Sequence, residues 1–352
     1  MKKNLLVISP SRQDATSFYR GYGPFGRLRK EIENIDFIMS DGLRIDWSTM
    51  RMIDGIFMQR PFLKDHLTIM KMAEENKIPV WVDYDDDLFN VPSDNPAHDL
   101  YNNEEVQRNI ATIIPMAKIV TVSTKVLQNK LSKLNNRIIV IENALDNYIF
   151  NKENYFRKDG TCPSRVVAWR GSSTHVKDLM TYGKEIIELI NSHQDWVFSF
   201  IGYKPWFLIE SVKNKNQIVT YDAIDVMEYH RVMYNIWPAI LHVPLHFSEF
   251  NKAKSNIAWI EGTFFGSACV TPELSGWPKK EEVSSFASSL SYSSPEEYLM
   301  VMKGIMAWSD AGREKLVQNS SKCIPLLSNA NKRRVEILHE LLNNEVLWNL
   351  NT

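Results

Sequence analysis

The sequence predicts an α/β protein built from two doubly wound domains. Three observations carry this. Short continuous apolar runs alternate with stretches of helical period. The first run feeds a glycine-bearing loop and then a helix, the opening unit of a doubly wound sheet. The same alternation restarts after a polar stretch broken by Gly160 and Pro163. A chain of 352 residues also suits two domains better than one.

Taken in order, the first strand is expected over residues 5–9, a buried apolar run. Gly21, Gly23, Gly26 and Pro24 then predict a loop that enters a helix near Phe25. Their spacing is not GxGxxG directly after a strand, so a dinucleotide fingerprint is not supported. Strands are expected over 35–39, 55–59 and 78–82, with a helix over 63–76. Asp83, Asp85, Asp86 and Asp87 crowd the end of the last of these strands, where ligands of parallel sheets bind. Carboxylates so close repel one another, so they call for a cation, for donor groups or for raised pKa values. The alternatives are a carboxylate pair holding a divalent cation against a diphosphate and a solvated loop that caps the next helix. A helix over 104–116, a strand over 118–123, a helix over 124–133 and a strand over 138–141 complete a first domain, residues 1–150. Asn143 follows its last strand.

Residues 151–164 read as a linker. A strand over 165–169 then runs into Arg170-Gly171-Ser172-Ser173-Thr174-His175-Val176-Lys177-Asp178, with Ser173 or Thr174 capping a helix to about residue 191. Charge, glycine and hydroxyls favour an anion site over an ordinary strand-to-helix turn. Strands over 196–203, 218–221 and 239–243 and a helix over 226–235 follow. His242 and His246 read as packed or surface side chains, because no third metal donor lies at suitable spacing.

The stretch KSNIAWIEGTFFGSACV, residues 254–270, reads as a helix followed by a strand. Ile257, Ile260, Phe264 and Phe265 recur at helical spacing, and Glu261 lies inside that stripe. A carboxylate facing a core is costly unless something hydrogen-bonds it. By itself a helix glutamate also suits an ion pair with a neighbouring Lys or Arg. Gly266 marks the helix end. Lys254 and Ser255 fall at the expected helix start, where a lysine opposes the dipole unless an external anion is shared between them. A Ser-rich loop over 275–293 and helices over 295–308, 311–318 and 331–348 complete the chain. Domain boundaries follow at 165–330 for the second domain and 331–352 for a C-terminal helix.

These residues resemble the donor-binding helix of the GT-B glycosyltransferases, above all the retaining family 4 group of bacterial and phage type. Its pattern is a Glu, a Gly five residues later and a short apolar strand, here Glu261, Gly266 and Ala268 to Val270. The resemblance implies two Rossmann-like domains with parallel sheets facing across a cleft, and a C-terminal helix crossing back to the first domain. It implies that Glu261 binds the ribose hydroxyls of a nucleotide-sugar, and that Arg170 and Lys177 hold its diphosphate, with Gly171, Ser172, Asn251, Lys254 and Ser255 beside them. A Tyr-Arg-x-x-x-Pro pattern, here Tyr19, Arg20 and Pro24, places Arg20 at the donor phosphate or the acceptor. Asp83, Asp86 and Asp87 belong to the same side, and Asp85 joins Arg170 and Lys254 as a candidate catalytic group. The chain departs from the pattern at Ala253, where the family carries a second Glu.

The implied activity is a hexosyl- or pentosyltransferase reaction, retaining and independent of metal. The nucleotide-sugar, UDP-sugar among the candidates, is a co-substrate and no cofactor is expected. A metal-dependent GT-A-like transferase using the aspartates and a non-catalytic nucleotide-sugar-binding protein stay open. The sequence does not show the acceptor hydroxyl: a glycan, a lipid-linked sugar, a protein and hydroxymethylated phage DNA stay open. A net charge of −1 gives no electrostatic footprint for nucleic acid. Cys162, Cys269 and Cys323 match neither a disulfide framework nor a zinc site. With no signal-like or transmembrane stretch, they lead to the expectation of a cytoplasmic protein.

Overall fold

Two six-stranded parallel sheets organise the chain in a computed structural model, which describes residues 2–10, 14–150, 164–274, 277 and 290–343. The first sheet contains β1 (Lys3–Ile8), β2 (Ile35–Ser40), β3 (Gly55–Gln59), β4 (Val80–Tyr84), β5 (Ile119–Val122) and β6 (Ile138–Val140), in the order β2-β1-β3-β4-β5-β6. The second contains β7 (Ser164–Gly171), β8 (Val197–Gly202), β9 (Ile218–Asp222), β10 (Pro238–His242), β11 (Ala268–Pro272) and β12 (Ser291–Tyr292), in the order β12-β11-β10-β7-β8-β9. Every residue of β3, β4, β10 and β11 is buried. Helices cover both faces of such sheets, which is why their strands read as unbroken apolar runs. The strand order reverses beside β1 in the first sheet and beside β7 in the second. Ligand crevices open at such reversals, at the C-terminal ends of the strands.

The stretch read as a glycine loop is two helices instead, Ala15–Arg20 and Tyr22–Glu31. Asp14 caps the first by accepting from the Ser17 N–H. Pro24 is the third residue of the second, where a backbone N–H has no helical partner to lose. Gly23 is there for closeness: a Cβ at this position would lie 1.9 Å from the Phe18 carbonyl oxygen. The helix after β7 is also cut differently. Ser172 caps a short 3-10 turn, Ser173–His175, which leads into helices Val176–Thr181 and Gly183–Ser192. The central helix spans Ile257–Phe264 with Asn256 at its N-cap, so Lys254 and Ser255 precede it. Gly266 adopts φ +84°, the left-handed conformation that favours glycine at a helix end. Most of the expected Ser-rich loop, 275–276 and 278–289, lies outside the described residues, as do Cys162 and the expected linker up to residue 163.

The helix Leu327–Leu342 leaves the second lobe beside a parallel bridge from Leu326 to Leu145. Its Ile337, Leu338, Leu341 and Leu342 join Leu5, Val7, Phe25 and Phe57 in the core of the first lobe. Leu338 is fully buried there. Leu338→Ala is therefore expected to cost about 2–5 kcal/mol in chemical denaturation. A loss under about 1 kcal/mol would show that this helix does not anchor the lobe. Cys269 is buried and Cys323 exposed. Among the described residues no helix is long and apolar enough to cross a membrane.

Candidate functional site

A cavity open to solvent at its mouth lies between the two lobes. The second lobe contributes the end of β7 through Trp169 and Arg170, the turn through His175, the segment after β10 through Val243, Pro244 and Leu245, and the central helix through Ala258 and Glu261. From the first lobe come Thr16, Tyr19, Arg20, Asp85, Asp86 and Asn143. The site thus sits at the β7/β10 strand reversal, where elementary topology places a ligand.

Glu261 is 3% exposed, yet it is a carboxylate on an apolar helix. Two groups compensate it. The Tyr19 hydroxyl donates to Oε1 at 2.5 Å from the opposite lobe. Arg170 Nη2 stands 2.9 Å from Oε2. Among the described residues neither Arg170 Nε nor Nη2 finds a well-aligned acceptor, so charge rather than a directed bond joins the pair. Burial and the Glu261 charge push the Tyr19 pKa well above its ordinary value, so it remains a donor. Trp277 is another buried wall residue, and among the described residues its Nε1–H has no partner. A cavity whose wall carries an arginine, a lysine and a carboxylate suits a ligand carrying both phosphates and hydroxyls.

Lys254 lies on the same wall, 18% exposed, 4.0 Å from Asp86 Oδ1 across the lobe boundary and over the Phe250 ring. Ser255 Oγ accepts from Asn143 Nδ2 at 2.8 Å, a second link between lobes. A third runs from Thr124 Oγ1 to the Ala253 carbonyl at 3.0 Å. Ala253 itself is fully buried against the core of the first lobe, so position 253 does not offer a side chain to the cavity.

The aspartates are shared among protein cations. Asp83 receives Arg20 in bidentate fashion, Nε to Oδ1 at 3.0 Å and Nη2 to Oδ2 at 2.6 Å, together with the Thr121 hydroxyl. Arg60 grips Asp85 in the same way at 2.8 and 2.6 Å and reaches Asp86 at 3.2 Å. Arg60 closes β3 in the left-handed conformation, φ +49°, an uncommon backbone for arginine that aims it at this pair. Asp87 pairs with Lys130 at 2.6 Å. Burial raises the Asp85 pKa against the pull of Arg60, whereas for Asp86 the charges of Lys254 and Arg60 outweigh burial and lower it. Among the described residues no group of three His, Cys, Asp or Glu side chains is placed to hold a metal ion.

Several expected ligands do other work. Arg20 borders the cavity but is 1% exposed, and its remaining nitrogen donates to the Ile141 carbonyl and to Asn143 Oδ1, so it braces the first lobe and presents no free N–H. Asp83 and Asp87 are buried partners of cations and do not line the cavity. Lys177 is exposed on its helix and off the cavity wall, because the 3-10 turn rotates it outward and brings His175 in. Gly171 and Ser172 are also off the wall. A Cβ at 171 would lie 2.6 Å from the Trp169 ring, so Gly171 leaves room for that side chain. Asn251 is buried and donates to Asp178 Oδ1 and to the His246 carbonyl, both at 2.9 Å, which fixes the loop before Lys254. Arg170, Lys254, Ser255, Glu261, Tyr19, Asp85 and Asp86 do meet at the cavity. Sequence reasoning missed Arg60, His175 and Asp178. The His-x-x-Asp spacing, three apart at a helix start, was a readable signal for the last two.

Two parallel Rossmann-like lobes with a polar cavity between them constitute the GT-B architecture. No family model and no curated protein matches this sequence. Solved structures match its fold over nearly its whole length. A glycosyltransferase from Rickettsia africae ESF-5 is 14% identical, with 97% of this chain and 99% of that chain covered and a TM-score of 0.63. The sucrose-phosphate synthase of Thermosynechococcus elongatus is 11% identical, with 97% and 100% covered and a TM-score of 0.64. The Anabaena protein HepE, in complex with UDP, is 13% identical, with 97% and 100% covered and a TM-score of 0.59. At these identities the likeness establishes the fold.

Proposed function

We propose that this protein transfers a sugar from a nucleoside diphosphate to a hydroxyl acceptor, with retention and without a required metal. The observation that carries the reading is the convergence of Arg170, Lys254 and Glu261 on one cavity at the β7/β10 reversal. Arg170 and Lys254 neutralise the charge that develops on the leaving diphosphate in a partly dry site. Glu261 accepts from ribose hydroxyls in the place where it now accepts from Tyr19. Asp85 and Asp86, on the first lobe, face the acceptor. Their pairing with Arg60 and Lys254 favours charge stabilisation by the protein over a metal bridge. A structural neighbour that is a glycosyltransferase and another that holds UDP support a nucleotide-sugar donor.

A thermal-shift panel of UDP-, GDP-, ADP- and dTDP-sugars tests the reading. One nucleotide class is expected to raise Tm, with EDTA making no difference. Stabilisation by none of the four would sink it. Proton NMR of the product then reads the anomeric configuration. The inward, apolar position of Ala253 supports a second reading, a protein that binds the donor without turning it over. Donor binding with neither transfer nor donor hydrolysis would favour that reading.

A further inference from the structure

His175 precedes Asp178 by one helical turn, and its Nδ1 meets Asp178 Oδ2 at 2.8 Å. An ionised carboxylate only accepts, so the ring proton sits on Nδ1 and a neutral imidazole presents a bare Nε2 lone pair. Asp178 is held in place from its other side. Its Oδ1 accepts from His246 Nδ1 at 2.6 Å, the His246 N–H at 3.0 Å and Asn251 Nδ2 at 2.9 Å. The imidazole lies against Gly171, where a Cβ would come within 3.2 Å of ring carbon Cδ2, the neighbour of Nε2. The side chain keeps 22% exposure and forms part of the cavity wall.

Charged groups face this ring from every side. Arg170 comes from the end of β7 and Lys254 from the turn before the central helix. Asp178 lies on its own helix with His246 behind it, and Asp86 comes from the first lobe. Burial and the charge of Lys254 work against an imidazolium here, and the bond to Asp178 works for it. The balance turns on what lies between Arg170 and Lys254. An anion there cancels the repulsion of both cations and adds an attraction of its own.

We propose that His175 is a proton-coupled ligand of the diphosphate: as the diphosphate enters between Arg170 and Lys254, Nε2 takes one proton from solvent and donates a hydrogen bond to a phosphate oxygen. The proposal rests on the donor reading above and adds a third phosphate-binding group to it. The proton returns to solvent when the diphosphate leaves, and no other bond is made or broken. Linkage makes the coupling reciprocal: anion binding favours the protonated ring, and a protonated ring tightens binding by the same factor. Each phosphate of a sugar nucleotide is esterified and lacks the second ionisation near pH 6, so a slope in this range belongs to the protein.

Isothermal titration calorimetry of the full chain tests this with UDP-, GDP-, ADP- and dTDP-glucose at about pH 6 and about pH 8, in buffers of different ionisation enthalpy. Uptake of about one proton per donor is expected, with affinity weakening by up to roughly tenfold per pH unit. His175→Gln should abolish both, and His246→Gln should keep both, because the backbone N–H at position 246 and Asn251 Nδ2 still hold Asp178 Oδ1. Binding by the wild type without proton uptake overturns the proposal whatever the variants do. So does a slope that survives His175→Gln, or one that disappears in His246→Gln instead. If no donor binds the wild type at either pH, the donor reading falls and this one with it.

Discussion

Glu261→Ala should sharply weaken donor-induced stabilisation and lower the stability of the free protein at the same time. The carboxylate is buried and balances Arg170 at 2.9 Å and the Tyr19 hydroxyl at 2.5 Å. Its loss leaves a cation and a donor without their partner, and breaking one side of a buried pair costs about 3–5 kcal/mol. Arg170 keeps 24% of its side chain exposed in the cavity and can hydrate, so the lower end of that range applies. A charged hydrogen bond to a ribose hydroxyl contributes about 1.5–3 kcal/mol, a loss of roughly tenfold to a hundredfold in donor affinity. Glu261→Gln separates the two effects, because it keeps the volume and an acceptor for Tyr19 while removing the charge. Chemical denaturation and a donor titration on both variants check this. Unchanged donor affinity in Glu261→Ala would remove Glu261 from the binding site and leave it a structural partner of Tyr19.

Asp83→Asn should destabilise the first lobe more than Arg20→Met does. Asp83 is the carboxylate that faces two buried guanidiniums, Arg20 through a bidentate pair and Arg334 through its longer-range field. Burial and the neighbouring Arg20 push the Arg334 pKa down to about 9, so its charge opposes folding at neutral pH, and that penalty stays constant until pH rises through about 9 and eases only above it. Neutralising Asp83 leaves two buried cations with no counter-charge. Neutralising Arg20 leaves Asp83 with Arg334 and the Thr121 hydroxyl, which donates at 2.5 Å. The first change is expected to cost about 3–5 kcal/mol and the second less. Urea denaturation ranks them. The reverse order would mean that Arg334 does not feel Asp83, and the account of this buried cluster would fail.

Both predictions concern residues that the sequence singled out, but only the second keeps its residue in a role unlike the expected one. Arg20 stood in a stretch that resembled a ligand loop, and nothing in the local spacing showed that a carboxylate 63 positions later would take two of its nitrogens. Glycines misled for a similar reason. Gly23 and Pro24 punctuate a loop in most sequences, whereas here one allows helices to touch and the other occupies a first turn that needs no N–H. Lys177 and His175 exchanged places because a single 3-10 turn changes which residues face inward.

Periodicity and apolar runs alone determined that the chain is α/β, where most strands run and where the central helix places Glu261. Those are local matters, set by a pleat of two, a turn of 3.6 and the need to bury apolar faces. Tertiary structure decided which charges meet. Tyr19, Arg170 and Glu261 lie far apart in the chain and come together only when two sheets bring their strand ends to one cavity. A buried charge is stable only beside a specific partner, and which partner arrives depends on the path of the whole backbone.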